Sequence, residues 1–232
     1  MTIGVIIPTF NEETIILNTL SMLPQPQMDE VIIVDGGSQD RTREIVQAYI
    51  DSHYAQTGHL LTSAKGRACQ MNTGGWFAQS DILIFLHADT HLPPEARRII
   101  TEVMDGETHV GGRFDVQFEI DRGYAWVISR MMNWRSRWSR IFTGDQAIFV
   151  RRTTFQQLKG FSNIPLMEDI EFSSRLKQSG SVIPLHSKVT TSFRRWEHNG
   201  PLRTILHMWT LRFLYWLGIS PHTLQQFYGT IR

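Results

Sequence analysis

Short apolar segments alternate with helical stretches through the first half of the chain, and this alternation limits the possible folds most. Residues 3–8, 31–34, 60–62 and 82–86 are almost uninterruptedly apolar. Segments of this length and composition are typical of strands that are covered on both faces of a sheet. Because stretches with helical periodicity separate them, the sequence predicts an α/β fold with a mainly parallel sheet flanked by helices.

Length and composition favour one large domain, or one domain with an appendage. The 232 residues carry a net charge of +1, which gives no support for a nucleic-acid-binding protein. Cys69 is the only cysteine, so an internal disulfide is impossible, as is usual in a reducing compartment. We expect a cytoplasmic protein, because residues 1–8 do not resemble a signal peptide and no stretch of about 18 residues is apolar enough to span a bilayer.

The second half of the chain predicts a further strand and a helix rich in tryptophan. Residues 110–120 alternate between apolar and polar side chains, as in a half-exposed antiparallel strand. Residues 123–138 combine tryptophans and methionines with arginines, and we interpret them as an amphipathic helix packed on the core. The alternative is that these residues form a surface that binds an apolar molecule or a membrane. Shorter elements are expected at 147–150, 153–158, 168–179, 182–186 and 189–193.

Residues 202–217 place apolar side chains close to helical spacing, with Arg203 and Arg212 beside them. We expect this helix to dock onto the domain or onto a partner subunit, so a homo-oligomer is compatible with the sequence. Peripheral membrane contact is the alternative.

Polar side chains follow three of the predicted parallel strands at their carboxyl ends. Thr9 and Glu12 follow the first strand, Asp35 follows the second, and His87 and Asp89 follow the fourth. Ligands of open α/β sheets bind at this edge, and a carboxylate there can accept hydrogen bonds from a ribose or a base. For the turn after Asp35 taken alone, a well-capped turn without a ligand is the more common explanation.

Two basic residues, Lys65 and Arg67, lie near the start of the next predicted helix, where the helix dipole does not stabilise a cation. They indicate an anion nearby, for instance a diphosphate, although a solvated basic turn is the simpler explanation. Neither a Gly-x-Gly-x-x-Gly motif after the first strand nor a Walker loop is present, so dinucleotide-binding and P-loop folds are disfavoured.

Together with two motifs of the second half, these strand ends resemble glycosyltransferase family 2, whose members are inverting nucleotide-sugar enzymes with a GT-A fold. The second-half motifs are Gly144-Asp145-Gln146-Ala147 and Glu168-Asp169, the latter at the head of a helix. The likeness runs from residue 3 to about residue 197. The stretch 85–90, Phe-Leu-His-Ala-Asp-Thr, is similar to a short branch of this family, some of whose members are associated with arsenosugar biosynthesis.

The resemblance implies a Rossmann-like GT-A domain at 1–200, with a nucleotide-binding half at 1–104 and an acceptor half at 105–200. A C-terminal helical extension follows at 201–232. The donor would be a nucleotide-diphospho-sugar, and the acceptor would be a hydroxyl compound that the sequence does not identify. By the same resemblance, the nucleotide-binding residues are Pro8, Thr9, Glu12, Asp35, Gly37, Lys65, Arg67 and His87.

The resemblance also implies a divalent cation, Mn²⁺ or Mg²⁺, since both prefer oxygen ligands. Asp89 corresponds to the last carboxylate of the family's Asp-x-Asp motif, which contacts the cation on the diphosphate, and His198 is a further candidate ligand. This chain departs from the motif at His87, which replaces the first Asp. A neutral imidazole suits Mn²⁺ better than Mg²⁺, so the departure leaves the metal open.

On the acceptor side, Asp169 would be the general base of an inverting single displacement. Glu168 or Asp145 would orient the acceptor. The stretch Arg194-Arg195-Trp196 stands where processive members carry Gln-x-x-Arg-Trp, and its arginines would hold the diphosphate.

Two other interpretations stay open at this stage. One is a sugar-phosphate nucleotidyltransferase, which the acidic turn after the first strand disfavours because such enzymes carry a glycine-rich basic loop there. The other is a non-catalytic nucleotide-sugar-binding protein, which the replacement at His87 favours and the retained Glu168-Asp169 pair disfavours.

Overall fold

A computed structural model gives the fold of residues 1–24 and 28–228, and it describes all of their side chains except those of Arg195, His198 and Asn199. Over these residues the chain forms one eight-stranded sheet in the order β3-β2-β1-β4-β7-β6-β8-β5. The strands are β1 Ile3–Thr9, β2 Glu30–Asp35, β3 Gly58–Thr62, β4 Ile82–Phe85, β5 Thr90–His91, β6 His109–Phe118, β7 Ile148–Arg151 and β8 Ser181–Thr191.

The first four strands in chain order, β1 to β4, are mutually parallel, as the alternation of apolar and helical segments predicts. β1 pairs with β2 and β4, and β2 pairs with β3, all in parallel. β7 is antiparallel to β4 and β6, while β8 is parallel to β6 and antiparallel to β5. The predicted α/β fold with a mixed, mainly parallel sheet is therefore confirmed.

Helices cover both faces of this sheet and continue beyond it at the C-terminal end. Two hydrophobic clusters separate the sheet from its helices, one on each face. A 3₁₀ turn at Gly144–Gln146 precedes β7. The helices are α1 Ile16–Ser21, α2 Thr42–His53, α3 Arg67–Phe77, α4 Ala96–Met104, α5 Gly123–Ser139, α6 Arg152–Gln157, α7 Glu168–Ser179, α8 Arg194–Asn199, α9 Pro201–Trp216 and α10 Pro221–Tyr228.

The alternation at 110–120 does not mark a half-exposed strand, and this prediction is wrong. Arg113 is completely buried and Asp115 nearly so, because α5 packs over this side of β6. The two side chains form an ion pair, and the Arg113 guanidinium also donates to the carbonyls of Leu185 and Asn133, each at 3.3 Å. Paired and hydrogen-bonded charges tolerate burial, which periodicity alone does not reveal.

The core-packing interpretation of residues 123–138 is wrong for most of their aromatic side chains. Trp134 and Trp138 are 71% and 80% exposed, and Trp126 is exposed as well. The face of α5 that turns toward β6 consists of small and polar side chains with one isoleucine, namely Ala125, Ile128, Ser129, Asn133 and Ser136. Asn133 explains this orientation, because its amide exchanges two hydrogen bonds of 2.8 Å with the backbone of Val116.

The C-terminal region contains two helices where the sequence predicts one. α9 docks onto the domain through Leu211, which shares a cluster with Leu166 and Met167 and with Leu224 of α10. The predicted apolar stripe of this helix, however, lies mostly in solvent, since Leu206 and Trp216 are 69% and 78% exposed. The helices α8 and α10 are not predicted, and the two strands expected at 182–193 form the single strand β8.

Candidate active site

The carboxyl ends of β1, β2 and β4 meet at one edge of the sheet. Thr9, the last residue of β1, lies opposite Asp35, the last residue of β2, and Pro8 lies opposite Val34. β4 pairs with β1 on the side opposite β2, and it ends two residues before His87. The parallel topology thus places the predicted nucleotide-binding residues of three separate segments at the same edge.

Asp35 organises the turn that follows β2. Its side chain is completely buried, and one carboxylate oxygen accepts hydrogen bonds of 2.9 Å from the backbone N–H groups of Gly37 and Ser38. The Ser38 hydroxyl donates to the other oxygen. Gly37 has a φ of +89°, which favours glycine at this position. The carboxylate therefore shapes the turn, and a ligand would have to use lone pairs that these donors leave.

Gln70 of α3 is a buried residue that sequence reasoning missed. Its side-chain amide donates to the carbonyls of Thr9 and Val34, at 2.6 Å and 2.9 Å, and so bridges the ends of β1 and β2. A Cβ at Gly36 would lie only 3.0 Å from this amide, so the turn after β2 approaches α3 closely. A lone Gln in a helical pattern gives no signal of such a role.

The loop after β1 is joined to the loop after β2 by several hydrogen bonds. Asn11 donates from its backbone to Ser38 Oγ, and its side chain accepts from the backbone N–H of Gln39, both at 2.9 Å. The backbone N–H of Glu12 donates to Thr42 Oγ1 at 2.7 Å. Glu12 thus lies where the loop after β1 meets the start of α2, and its nucleotide-binding role stays a prediction.

Lys65 lies just before α3 and Arg67 is its first residue, yet the two side chains have different surroundings. The Lys65 ammonium lies 4.0 Å from the centre of the Phe10 ring, in the loop after β1. One guanidinium nitrogen of Arg67 lies 4.0 Å from a carboxylate oxygen of Glu168 at the start of α7. Arg67 therefore connects the nucleotide-binding half to the predicted catalytic acids.

His87 faces the loop that carries the predicted acceptor motif. Its Nδ1 lies 3.1 Å from a carboxylate oxygen of Asp145, and a Cβ at Gly144 would come within 2.2 Å of its Nε2. The backbone N–H of Gly144 donates to a carboxylate oxygen of Asp169 at 2.8 Å. Four predicted or motif residues from three separate segments of the chain are thus connected in one continuous set of contacts.

The neighbouring acids Glu168 and Asp169 begin α7 in contrasting environments. Glu168 is buried, and its pKa is raised to about 7, first by burial and then by the adjacent Asp169 carboxylate. Asp169 is half-buried, and its second oxygen accepts from the backbone N–H of Ile170 at 2.7 Å. One backbone donor at this helix start and one from Gly144 hold the Asp169 carboxylate in a fixed position.

Arg135 of α5 interacts with both Asp169 and Arg212 of α9, and sequence reasoning assigned neither arginine to the site. The pKa of Arg135 is lowered to about 10, first by burial and then by the neighbouring Arg212, while Asp169 acts in the opposite direction. Ser136, the next residue of α5, accepts at 2.9 Å from Gln146, which follows the Gly144 loop. Within the described residues, Arg135 Nη2 and Arg212 Nε are buried without a hydrogen-bond partner. This pair can bind an anionic group.

Asp89 and Arg194 lie close to each other, together with Glu119 and residues of α1. Both face a pocket of about 150 Å³, and Arg194 Nε donates to Ser192 Oγ at 3.1 Å. Trp196 packs edge-on against Phe118, with ring centres 6.1 Å apart, and thus belongs to an apolar cluster. The side chains of Arg195 and His198 lie outside the described part of the chain, so their assignments stay predictions.

The donors at this edge fit a cation that is held mainly by a substrate. Among the described residues, no three His, Cys, Asp or Glu side chains converge into a metal cage. Mg²⁺ in phosphate-transferring sites is usually bound by one or two carboxylates together with substrate phosphates. The half-buried carboxylate of Asp89, beside a pocket that also contains Arg194, suits that kind of site.

Curated relatives of this chain are named as glycosyltransferases. The probable glycosyltransferase YdaM of Bacillus subtilis is 26% identical over 203 residues, which are 77% of this chain and 47% of YdaM. An undecaprenyl-phosphate 4-deoxy-4-formamido-L-arabinose transferase of Aeromonas hydrophila is 32% identical over 116 residues, 47% of this chain and 36% of that protein. The chain therefore spans about half, or less, of the length of these relatives.

Two solved structures share the fold at low sequence identity. TarS of S. aureus in complex with UDP gives a TM-score of 0.67 at 20% identity, covering 83% of this chain and 60% of that one. The mannosyltransferase PcManGT from Pyrobaculum calidifontis, in complex with GDP-Man and Mn²⁺, gives a TM-score of 0.67 at 20% identity, covering 90% and 60%. Both confirm the predicted GT-A fold.

The sequence model of a family described as "Glycosyl transferase family 2" matches residues 4–161, which is well over half of the chain. The matched range includes the three strand ends and the Gly144 loop, where the contacts described above converge. Motifs, fold and family match agree, and the chain belongs to glycosyl transferase family 2.

Proposed function

We propose that this protein transfers a sugar from a nucleotide-diphosphate donor to a hydroxyl acceptor, with inversion at the anomeric carbon. The observation that carries the proposal is the position of Asp169. Its carboxylate is fixed by the backbone N–H groups of Gly144 and Ile170, and Gly144 contacts His87 at the end of the parallel strands. A carboxylate held beside the nucleotide edge is what a single displacement requires.

The donor would lie along the edge formed by the first two parallel strands. Pro8, Thr9, Glu12, Asp35 and Gly37 would surround the nucleoside, since they stand at the ends of β1 and β2 and in the loops that join them. The two loops are already connected by hydrogen bonds, so this part of the site is formed before a ligand binds.

The diphosphate would lie toward the basic residues of the edge. Lys65 stands beside the loop after β1, and Arg194 faces the same pocket as Asp89. Asp89, with His198 as a further candidate ligand, would hold Mn²⁺ or Mg²⁺. Bound there, the cation would supply Lewis-acid stabilisation of the negative charge on the leaving diphosphate.

Asp169 would act as the general base. It accepts the proton of the acceptor hydroxyl while that oxygen bonds to the anomeric carbon and the bond from this carbon to the diphosphate breaks. Asp145 and Glu168 would orient the acceptor. The raised pKa of Glu168 keeps a fraction of this carboxyl protonated near neutral pH, so that it can donate a hydrogen bond to an acceptor oxygen.

The solved relatives support the donor class. TarS is described in complex with UDP and with UDP-GlcNAc, and PcManGT in complex with GDP-Man and Mn²⁺. Those ligands belong to proteins that share the fold of this chain at about 20% identity. They define the panel of donors to test and do not select one sugar.

The experiment is a donor screen followed by two variants. UDP-, GDP- and TDP-sugars are assayed with Mn²⁺ and with Mg²⁺ for thermal shift and for release of the nucleoside diphosphate. With the active donor, Asp169→Asn should lower turnover by about 10²–10⁴-fold, since it removes the base. Its nucleotide affinity should stay close to that of the unmodified protein.

Asp89→Ala is the matched variant for the donor side. It should weaken the metal-dependent part of nucleotide binding, measured by calorimetry with and without Mn²⁺. Wild-type turnover in Asp169→Asn would show that this residue is not the base. Binding of a nucleotide-sugar without any release of nucleoside diphosphate would instead indicate a non-catalytic binding protein.

A further inference from the structure

The helices α5 and α9 approach each other at two positions. Ile205 of α9 packs into the cluster that contains Ala125 and Ile128 of α5. About two turns further along each helix, Arg135 of α5 and Arg212 of α9 are again neighbours. α9 therefore lies near α5 at these two positions.

The outer side of α9 is a continuous apolar stripe. Its members recur at the spacing of one helix face, and all of them are more than half exposed. The buried residues of the same helix, Thr204 and Leu211, lie on the opposite side. The stripe consists of Leu202, Leu206, Trp209, Phe213 and Trp216.

The outer side of α5 shows the same pattern. Val127, Met131, Trp134 and Trp138 recur at helical spacing, and the two tryptophans are among the most exposed large apolar side chains of the described residues. We call the combined outer surface of these two stripes the α5–α9 face. Contiguous exposed apolar surface of this kind marks an interaction site in a folded protein.

The charged side chains that α5 and α9 themselves carry are all positive. Residues 123–140 and 201–232 contain no Asp or Glu. Arg130, Arg140 and Arg203 are exposed on these helices or at their ends, and Arg130 stacks over the Trp126 ring at 4.4 Å. Exposed tryptophans on helices whose own charged side chains are all cations are typical of helices that lie in the interface of an anionic bilayer.

We propose that the α5–α9 face binds the surface of a bilayer that contains anionic phospholipid. The indoles of Trp134, Trp138, Trp209 and Trp216 would enter the headgroup region, and the arginines would contact lipid phosphates. Within the described residues no helix is long and apolar enough to cross a membrane, so the contact is peripheral.

A second copy of this chain fits the face less well. In a two-fold symmetric dimer the same patch meets itself, and neither helix brings an acidic side chain to pair with the exposed arginines of the other copy. Anionic lipid supplies the missing negative charge. Charge complementarity thus favours a bilayer over self-association.

The position of the face relates it to the acceptor side of the site. α9 packs through Leu211 against Leu166 and Met167, which immediately precede Glu168 and Asp169. A bilayer on the α5–α9 face would therefore lie close to the predicted base. The link between the bilayer and the predicted base rests on the proposed function. Vesicle binding itself does not, so the membrane proposal and the proposed function can fail independently.

The test is flotation of the full chain with vesicles of phosphatidylcholine, with and without phosphatidylglycerol. We expect flotation with the anionic vesicles and little with the neutral ones. The double variant Trp134→Ser/Trp216→Ser should weaken binding to the anionic vesicles by at least about tenfold, because two large apolar side chains are removed from the contact. The matched control is Trp76→Ser, which removes an exposed tryptophan of α3, a helix that packs on β1 and β2.

A charge variant separates lipid phosphate from apolar contact alone. Arg130→Glu/Arg140→Glu should lower binding to the anionic vesicles, while Arg43→Glu on the exposed side of α2 should not. Circular dichroism melts of every variant establish that each one is folded. Equal flotation of wild type and double tryptophan variant would overturn the proposal. A second result would also overturn it. In that case wild type does not bind vesicles and forms a dimer in light scattering, and the double tryptophan variant is monomeric.

Discussion

At the scale of single residues, the two neighbouring acids at the start of α7 have different environments, which suit them to different roles. Glu168 is buried beside Arg67, whereas Asp169 is half-buried and hydrogen-bonded by backbone N–H groups. Burial opposes ionisation of Glu168, and the adjacent Asp169 adds to the effect. One carboxyl is thus suited to hold a proton, and the other is suited to accept one.

The raised pKa of Glu168 predicts a dependence of stability on pH. Its pKa in the folded protein is about 7, above its ordinary value of 4.5, so between these values the folded state binds a proton that the unfolded state does not. The free energy of unfolding should therefore fall as pH rises from about 4.5 to about 7.

Glu168→Gln stays neutral at every pH and should remove this fall. Above about pH 7 the variant should be more stable than the unmodified protein, by a difference on the order of a few kcal/mol. Urea unfolding of both proteins across this pH range measures the effect. Parallel stability profiles for the two proteins would contradict it.

At the scale of secondary-structure elements, a buried ion network joins β6 to α5. Asp115 pairs with both Arg113 of β6 and Arg137 of α5. Arg113 is completely buried, so its charge depends on this carboxylate and on the carbonyls of Leu185 and Asn133. The network fixes the rotation of α5 on the sheet, which also decides that its tryptophans point outward.

Asp115→Ala should destabilise the fold by roughly 3–5 kcal/mol, because it leaves two partly or fully buried cations without their acidic partner. Guanidinium chloride unfolding measures the change. The matched control is Glu102→Ala in the exposed Arg98–Glu102 pair of α4, which should cost less than about 1 kcal/mol. Similar losses in both variants would argue against a dependence on burial.

At the scale of the whole molecule, the C-terminal helices are part of the folded domain. Leu211 of α9 and Leu224 of α10 are almost fully buried against Leu166 and Met167. These contacts support the segment that leads into α7 and its acid pair. The boundary at residue 200 between the domain and its helical extension stays a prediction.

Leu211→Ala should cost roughly 2–5 kcal/mol of stability, because it opens a cavity beneath α9. Leu206→Ala on the exposed side of the same helix should change stability by less than about 0.5 kcal/mol. Denaturant unfolding followed by circular dichroism compares the two. Equal effects would mean that α9 does not pack on the domain through Leu211.

The sequence by itself determined the order of strands and helices in the first half and the polar residues at the strand ends. Those properties depend on local periodicity and on short motifs, which neighbouring residues encode. The acid pair at the head of α7 was visible for the same reason. His87 was also recognisable as the point where this chain departs from the family's motif, but its partners were not.

The tertiary structure alone decided which distant residues meet. His87 contacts Gly144 and Asp145, and Gln70 bridges Thr9 and Val34, because sheet order and helix packing bring these segments together. The same holds for the direction in which a helix faces. The tryptophans of α5 have the spacing of a core-facing stripe, yet they lie in solvent because Asn133 and the buried Arg113–Asp115 pair fix the opposite side of the helix on β6. Periodicity shows that a helix has two faces, and only the packing of polar groups decides which one is buried.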